Sequence, residues 1–321
     1  MSASEMTRRA FAALPVALCR AAEPQLTGVT KIWDEAPHNA FTDLIGFRGR
    51  FYCAFREAQK HVSSDGVIRL ITSKDMKTWT SASLVRYENG DLRDPKLALT
   101  PKGELMLTTA VAFRDRPPVR HQSLVYTSKD GKAWAQAVTI GDPDVWLWRV
   151  NWRGSKEALS VGYSTVKDRF IRLYRTSDGV KYETVAARLL DDGNESSILF
   201  EPDGTALCLL RRDEGDREGM LGTSRPPYTE WTWRKLGARI GGPHMIRLPD
   251  GRLLAAVRLY DNKVRTSLCW LTPDTIREFQ PLPSGGDTSY AGLALHRGNL
   301  YVSYYSSHEG KTSIYLATVK L

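Results

Sequence analysis

Glu195 and Arg211 stand near the two ends of the segment "NESSILFEPDGTALCLLRR", which reads as a strand, a glycine turn and a second strand. Other apolar runs of the chain open on polar or aromatic residues in the same way: Asn39 in "HNAFTDLI", Arg93 and Asp94 in "LRDPKLAL", Trp148 and Arg149 in "WLWRVNW", His244 in "GPHMIRL" and Tyr290 in "TSYAGLAL". The returning runs end on Arg56 with Glu57, on Tyr163, on Arg258 and on Tyr305. Ionisable groups that share one cavity are costly to bury unless they pair or meet a ligand. Such a set is therefore either a site for a charged ligand and for proton transfer or a solvated rim held by structural ion pairs, and the fold that gathers it has to decide.

The elements that position these residues repeat. An apolar run, a glycine turn, a second apolar run, a polar excursion and a third run ending in an aromatic recur six times. The turns are centred on Gly49, Gly103, Gly154, Gly204, Gly251 and Gly298, spaced 54, 51, 50, 47 and 47 residues apart, a period that suits a four-stranded blade. Three later turns, "SKDMKTW", "SKDGKAW" and "TSDGVKY", carry Asp75, Asp130 and Asp178 four residues before Trp79, Trp134 and Tyr182. A short acidic side chain in such a turn can accept from its own backbone amides, and the ring can pack between neighbouring sheets.

No long helical period is present, so the expected fold is all-β, a six-bladed β-propeller in one domain over residues 23–321. The last repeat is one strand short and "GVTKIWDE" precedes the first as an orphan, so the N-terminal strand is expected to close the last blade. A pair of β-sandwich domains accounts for neither feature.

Bulk properties narrow the function. The chain has 321 residues, 42% hydrophobic and 25% charged, with a formal net charge of +9. No run approaches the roughly 18 apolar residues of a membrane span, and a soluble protein is expected. Residues 1–22 have the order of an export signal: Arg8 and Arg9, an apolar stretch to Cys19, then Ala21 and Ala22. The paired arginines resemble the twin-arginine type, so a periplasmic or extracellular location is expected. Removal of that segment leaves a charge of +7, scattered along the chain, which argues against a nucleic-acid tract. Cys53, Cys208 and Cys269 each lie in an apolar run and are expected as buried free thiols. No phosphate loop, paired-cysteine zinc pattern, metalloprotease helix or nucleophile elbow is present, so neither a cofactor nor a metal is expected. The six histidines could form a site only by meeting in space.

With these motifs in place, nearly all of residues 27–321 resembles the sialidase superfamily of six-bladed propellers. "SKDMKTW" and "SKDGKAW" are similar to its Asp-box turn, one residue shorter. The "NES" entry followed by "LLRR" resembles the family's glutamate and arginine pair, and "DTSYAGL" its Ser-Tyr entry. The resemblance implies a retaining exo-glycosidase with Tyr290 as nucleophile, Glu195 as its base, and Arg211 and Arg258 as carboxylate-binding arginines. A neutral tyrosine suits a sugar whose anomeric carbon bears a carboxylate, which would repel a carboxylate nucleophile. Flanking arginines would lower the phenol pKa and clamp the substrate. The acid would come from Asp65 in "HVSSDG", with Asp94 in competition.

This sequence departs from the family at the first blade, where "HNAFTDLI" has no arginine; Arg56 or Arg93 could stand in. Trp148, Arg149, His61, His244 and His308 would suit a different acidic sugar. The expected partner is thus an acidic glycan met by a monomer. Two rivals remain: a propeller hydrolase or lyase on uronic-acid polysaccharides using His244 or His61, and a carbohydrate-binding protein without turnover.

Overall fold

The computed structural model describes residues 23–115 and 118–321, and the expected export signal lies outside them. Among the described residues there is no helix. Strand β1 (Gln25–Trp33) leads into a meander of β2 (His38–Phe47), β3 (Arg50–Ala58), β4 (Val67–Ser73) and β5 (Thr80–Val85). A second meander follows as β6 (Gly90–Leu99), β7 (Leu105–Phe113), β8 (His121–Ser128) and β9 (Val138–Ile140). In the third sheet, β10 (Val145–Leu147) and β11 (Asn151–Arg153) both pair with β12 (Glu157–Ser164), which continues to β13 (Ile171–Thr176) and β14 (Glu183–Leu190).

The next sheet runs β15 (Ser196–Phe200), β16 (Ala206–Leu210), β17 (Glu218–Ser224), β18 (Thr232–Arg247), β19 (Leu253–Leu259), β20 (Arg265–Leu271) and β21 (Ile276–Pro281). The long β18 serves two meanders: its first half pairs with β17 and its second, from Ile240, with β19. Last come β22 (Thr288–His296), β23 (Asn299–Ser306) and β24 (Ser313–Lys320), and β1 lies antiparallel beside β24, joining the two ends of the described chain in one sheet.

The acidic turns close on themselves. Asp75 Oδ1 accepts from the amides of Lys77 and Thr78 at 2.9 and 2.8 Å, and Asp130 and Asp178 make the same pair of bonds in their own turns. The Trp134 indole donates to Ser83 on β5 of the preceding sheet, so that ring ties two sheets together. Cys53, Cys208 and Cys269 are buried free thiols. No helix of the described residues is long and apolar enough to cross a membrane.

The strands that open the meanders meet at the centre: β22 packs on β2, β2 on β6, β11 on β15, and the second half of β18 on β22. Four of these strands carry the same irregularity. Two residues oppose one on the partner strand at Phe41–Thr42, Asp94–Pro95, Gly242–Pro243 and Tyr290–Ala291. The first residue of each bulge has left-handed φ, at 63°, 49°, 55° and 52°. Bulges bend a strand and re-aim its side chains, here at one depth around the centre.

Below that depth the centre is plugged by charge. Asp43 accepts from Arg149 through both oxygens, at 2.9 and 3.0 Å, and from the Leu97 amide at 2.7 Å. Burial pushes the Asp43 carboxyl up, but neighbouring positive charge, Arg149 foremost, holds it below its usual range. Removing one partner of a buried pair strands the other. Asp43→Ala is therefore expected to destabilise the fold by about 3–5 kcal/mol, read from denaturant unfolding; a loss below about 1 kcal/mol would show that the plug is solvated.

Candidate active site

The bulge on β22 sets Tyr290 among the rings of Phe41, Trp148 and Tyr305, and its backbone is unusual. Ser289 and Tyr290 both have positive φ, at 126° and 52°. For a bulky residue this conformation is strained, and strain of this kind collects at functional sites. The bulge is held from outside, since the Thr42 hydroxyl donates to the Tyr290 carbonyl at 2.8 Å.

Glu195 enters just ahead of β15, and its carboxylate accepts from the Tyr290 hydroxyl, from Arg211 Nη1 at 2.8 Å and from the Gly242 amide at 2.8 Å. Gly242 is the bulge residue of β18, and a Cβ there would stand 2.9 Å from Ser289 Oγ and 3.1 Å from the Tyr290 nitrogen. Glycine thus lets the β18 backbone reach Glu195 without pushing Tyr290 away. Arg211, at the end of the hairpin, is oriented in turn by Asp213, whose Oδ1 accepts from its Nε at 2.9 Å. On the other side Arg258 donates to the Thr288 carbonyl at 2.6 Å and to the Tyr305 hydroxyl at 3.1 Å, with its guanidinium carbon 5.4 Å from the Tyr290 ring centre.

The protonation states follow from these contacts. Burial pushes Glu195 up, yet the Arg211 charge and the three hydrogen bonds hold it below the usual carboxylate range. Burial and then the Glu195 charge lift the Tyr290 phenol well above 10, and the pull of Arg258 and Arg211 is outweighed. The expected net lowering by the arginines is thus corrected: at rest the proton sits on the phenol, aimed at an anionic acceptor. Behind the ring, the Lys96 ammonium lies 4.6 Å from the Trp148 ring centre and 5.6 Å from that of Tyr290, and burial lowers its pKa to about 8.

Asp94, the bulge residue of β6, is 8% exposed. Burial raises its pKa, with Arg93 and Lys96 opposing and Glu195 assisting. Arg93 brings its guanidinium carbon 5.7 Å from the centre of the Phe41 ring, which itself lies 5.2 Å from the Tyr290 ring. The structure therefore gathers Tyr290, Glu195, Arg211, Arg258, Arg93 and Asp94 at one level.

It sends the other expected residues elsewhere. Arg56 is fully buried, bonded to Asp91 at 2.8 and 2.9 Å and to the Lys60 carbonyl, so it anchors the β3–β4 connection and cannot reach a substrate. Asp65 is exposed on that connection and accepts from the Gln59 amide at 3.2 Å; although its slight burial pushes the other way, bonds from Ser63 and Gln59 lower its pKa, the wrong direction for an acid. Trp148 is 2% exposed and packs behind Tyr290. Arg149 turns down onto Asp43, and with His244 it lines a cavity of about 360 Å³ formed by the later residues of the same central strands. Burial and the nearby Arg149 charge lower the His244 pKa to about 3, leaving it a neutral ring bonded to the Ala291 carbonyl. Asn39 bonds backbone carbonyls at Ala36 and Thr312, Glu57 pairs with Arg69, and His308 bonds Ser306.

Gly242, Asp213 and Lys96 are site residues that the sequence reading did not single out. The "GGP" of "IGGPHM" and the "RRD" ending of the hairpin were the available signals for the first two; Lys96, inside an apolar run, offered none.

No family model matches this chain, and no curated protein matches it. Solved structures do. A protein of unknown function from Dyadobacter fermentans superposes with a TM-score of 0.81 at 20% identity, over 93% of this chain and 99% of that one. An α-L-arabinanase of Penicillium chrysogenum, complexed with arabinobiose, gives 0.71 at 13% identity over 93% and 99%. The sialidase of Trypanosoma rangeli, complexed with sialic acid, gives 0.68 at 11% identity over 91% of this chain and 57% of that one. These likenesses show the fold, an all-β propeller architecture.

The two aspartates can be told apart in solution. With carbon-13 aspartate, the carboxyl resonance lost in Asp94→Asn is expected to titrate above the ordinary 3.8, and the one lost in Asp65→Ala below it. The reverse order would return the acid to the exposed connection.

Proposed function

We propose that this chain is a glycoside hydrolase, exo-acting and retaining, that removes a terminal acidic sugar through the Tyr290 and Glu195 pair. The observation that carries the reading is the Tyr290 hydroxyl bonded to a buried, anionic Glu195 between two arginines. The reading takes residues 23–321 as one six-bladed propeller closed by β1 on β24, and residues 1–22 as an export signal. The fold likeness to a sialidase solved with sialic acid supports the substrate class.

In the first step the Tyr290 oxygen attacks the anomeric carbon while Glu195 takes the phenol proton. The bond from that carbon to the leaving oxygen breaks, and Asp94 gives that oxygen its proton. Arg211 and Arg258 hold the substrate carboxylate through the charge-assisted bonds that guanidinium forms well, with Arg93 as the third cation. In the second step water attacks the anomeric carbon and the bond from that carbon to the Tyr290 oxygen breaks; the Asp94 carboxylate takes the water proton, and Glu195 returns its proton to the phenolate.

A second reading, hydrolysis of a neutral arabinose-type glycan, is favoured by Phe41, which occupies the first-strand bulge where an arginine would enlarge the clamp, and by the full-length likeness to the Penicillium arabinanase. Fluorogenic sialosides, uronides and arabinosides distinguish the two. Sialoside or uronide release that falls by about 10²–10⁴-fold in Glu195→Gln and at least as far in Tyr290→Phe is expected. Full turnover in both variants would overturn the mechanism, and release of arabinose alone would transfer it to the second reading.

The pH profile is set by two directions. Glu195 must be ionised and lies below its ordinary 4.5, so kcat/KM is expected to hold down to that range and fall only at lower pH. Asp94 must be protonated and lies above 3.8, so the alkaline limb is its deprotonation and should disappear in Asp94→Asn. An alkaline limb unchanged in that variant would remove Asp94 from the role of acid.

A further inference from the structure

We propose that His38, His61 and Asp287 form a binding site for a divalent transition-metal ion of the zinc type, one ring away from Tyr290 across Phe41. His38 Nε2 and His61 Nδ1 lie 3.0 and 2.6 Å from the same oxygen, Asp287 Oδ2, and the three ligand atoms all fall within 4.8 Å of one another. They come from distant parts of the chain: the first residue of β2, the β3–β4 connection and the residue before β22. The sequence offers no metal motif because the site exists only where the first and last meanders meet.

The carboxylate is pinned for this purpose. Its other oxygen accepts from the Tyr305 hydroxyl at 2.8 Å, and its backbone amide donates to Ser307 Oγ at 2.8 Å, leaving Oδ2 turned to the two rings. Hydrogen-bonded support of a ligating carboxylate is the usual second layer of a metal site. His38 is buried, and its Nδ1 has no partner, so the ring's polar engagement is with Asp287 alone. The His61 side chain is 47% exposed, which leaves solvent and ligands access to the ion. Two imidazoles and a carboxylate suit zinc, and three protein ligands leave one position open. Tetrahedral zinc sets its donors about 3.3 Å apart, so entry of the ion needs His61, on an exposed connection, to withdraw by less than about 1 Å.

The site also has a use, which rests on the proposed acidic-sugar reading. Phe41 fills the bulge on β2, and its ring lies 5.1 Å from His61 and 5.2 Å from Tyr290. A cation beside it supplies positive charge on the side of Tyr290 where the first strand brings no arginine. Its open position would accept a carboxylate or hydroxyl oxygen of the sugar.

The test is calorimetric titration of the metal-stripped full chain with zinc chloride, repeated with cobalt(II) and read by visible absorption. Wild type is expected to bind one ion per chain with a tetrahedral cobalt spectrum. His61→Ala and Asp287→Asn are expected to lose at least about tenfold in affinity, and Tyr305→Phe to weaken binding by about 10–100-fold through the carboxylate it supports. Circular dichroism on each variant separates lost binding from lost folding, and His61→Ala changes an exposed residue. No stoichiometric binding by wild type, or equal affinity in a folded His61→Ala, would overturn the site. Wild type separates this proposal from the glycosidase reading: one zinc bound with no turnover on any sugar would sink the enzyme and leave the metal, whereas sugar release without stoichiometric zinc would do the reverse.

Discussion

The centre of this protein depends on a bulge made four times. In β2, β6, β18 and β22 two residues oppose one, and the first of the two adopts a left-handed backbone. A regular strand alternates its side chains between faces, so it cannot deliver neighbouring side chains to the same site. The bulge breaks that alternation and turns Phe41, Asp94 and Tyr290 inward at one depth, while Gly242 brings its amide to the same level. The cost is conformational strain at three non-glycine residues, of order 1–3 kcal/mol each. The surrounding β-sheets and bonds such as Thr42 to the Tyr290 carbonyl hold it in place.

Charge is then layered along the central axis. At the upper level Glu195 is the anion to which Tyr290, Arg211 and the Gly242 amide all point, and Arg258 and Arg93 bring guanidinium groups beside the Tyr290 and Phe41 rings. At the lower level Asp43 and Arg149 neutralise each other, with Lys96 between that pair and the Tyr290 ring. The lower pair accounts for Arg149 and Asp43 without a ligand. In the upper set Arg211 is paired with Glu195 and Asp213, whereas Arg258 bonds a carbonyl and hydroxyls rather than a carboxylate, which is why an anionic sugar is the reading we prefer.

Much of this was legible in the sequence, and the part that was not has a physical cause. Glycine turns and acidic turns are local chemistry, and they fix where strands begin and end; the entries at Glu195 and Tyr290 and the strand ends at Arg211 and Arg258 could therefore be picked out. Which way a side chain points after entry depends on the bulge, which leaves no composition signal when its residue is Phe41 or Tyr290 rather than glycine. Arg149 and Arg93 look equivalent as entry arginines, yet one turns down to Asp43 and the other lies over Phe41. Arg56 ends a strand as Arg258 does, but Asp91 lies beside it and captures it. Asp65 was favoured for its place on a loop, whereas the buried position that raises a carboxyl pKa belongs to Asp94. His38, His61 and Asp287 meet only across the junction of the first and last meanders, a tertiary fact.

The account stands on Tyr290 as the atom that bonds to sugar. The most direct measurement is intact-protein mass spectrometry, with peptide mapping, after brief exposure to fluorinated activated glycosides that slow the second step. The account predicts one added sugar per chain, carried by Tyr290 and absent in Tyr290→Phe. Turnover of the parent sugar with an adduct on another residue, or with none under conditions that trap the first step, would contradict it.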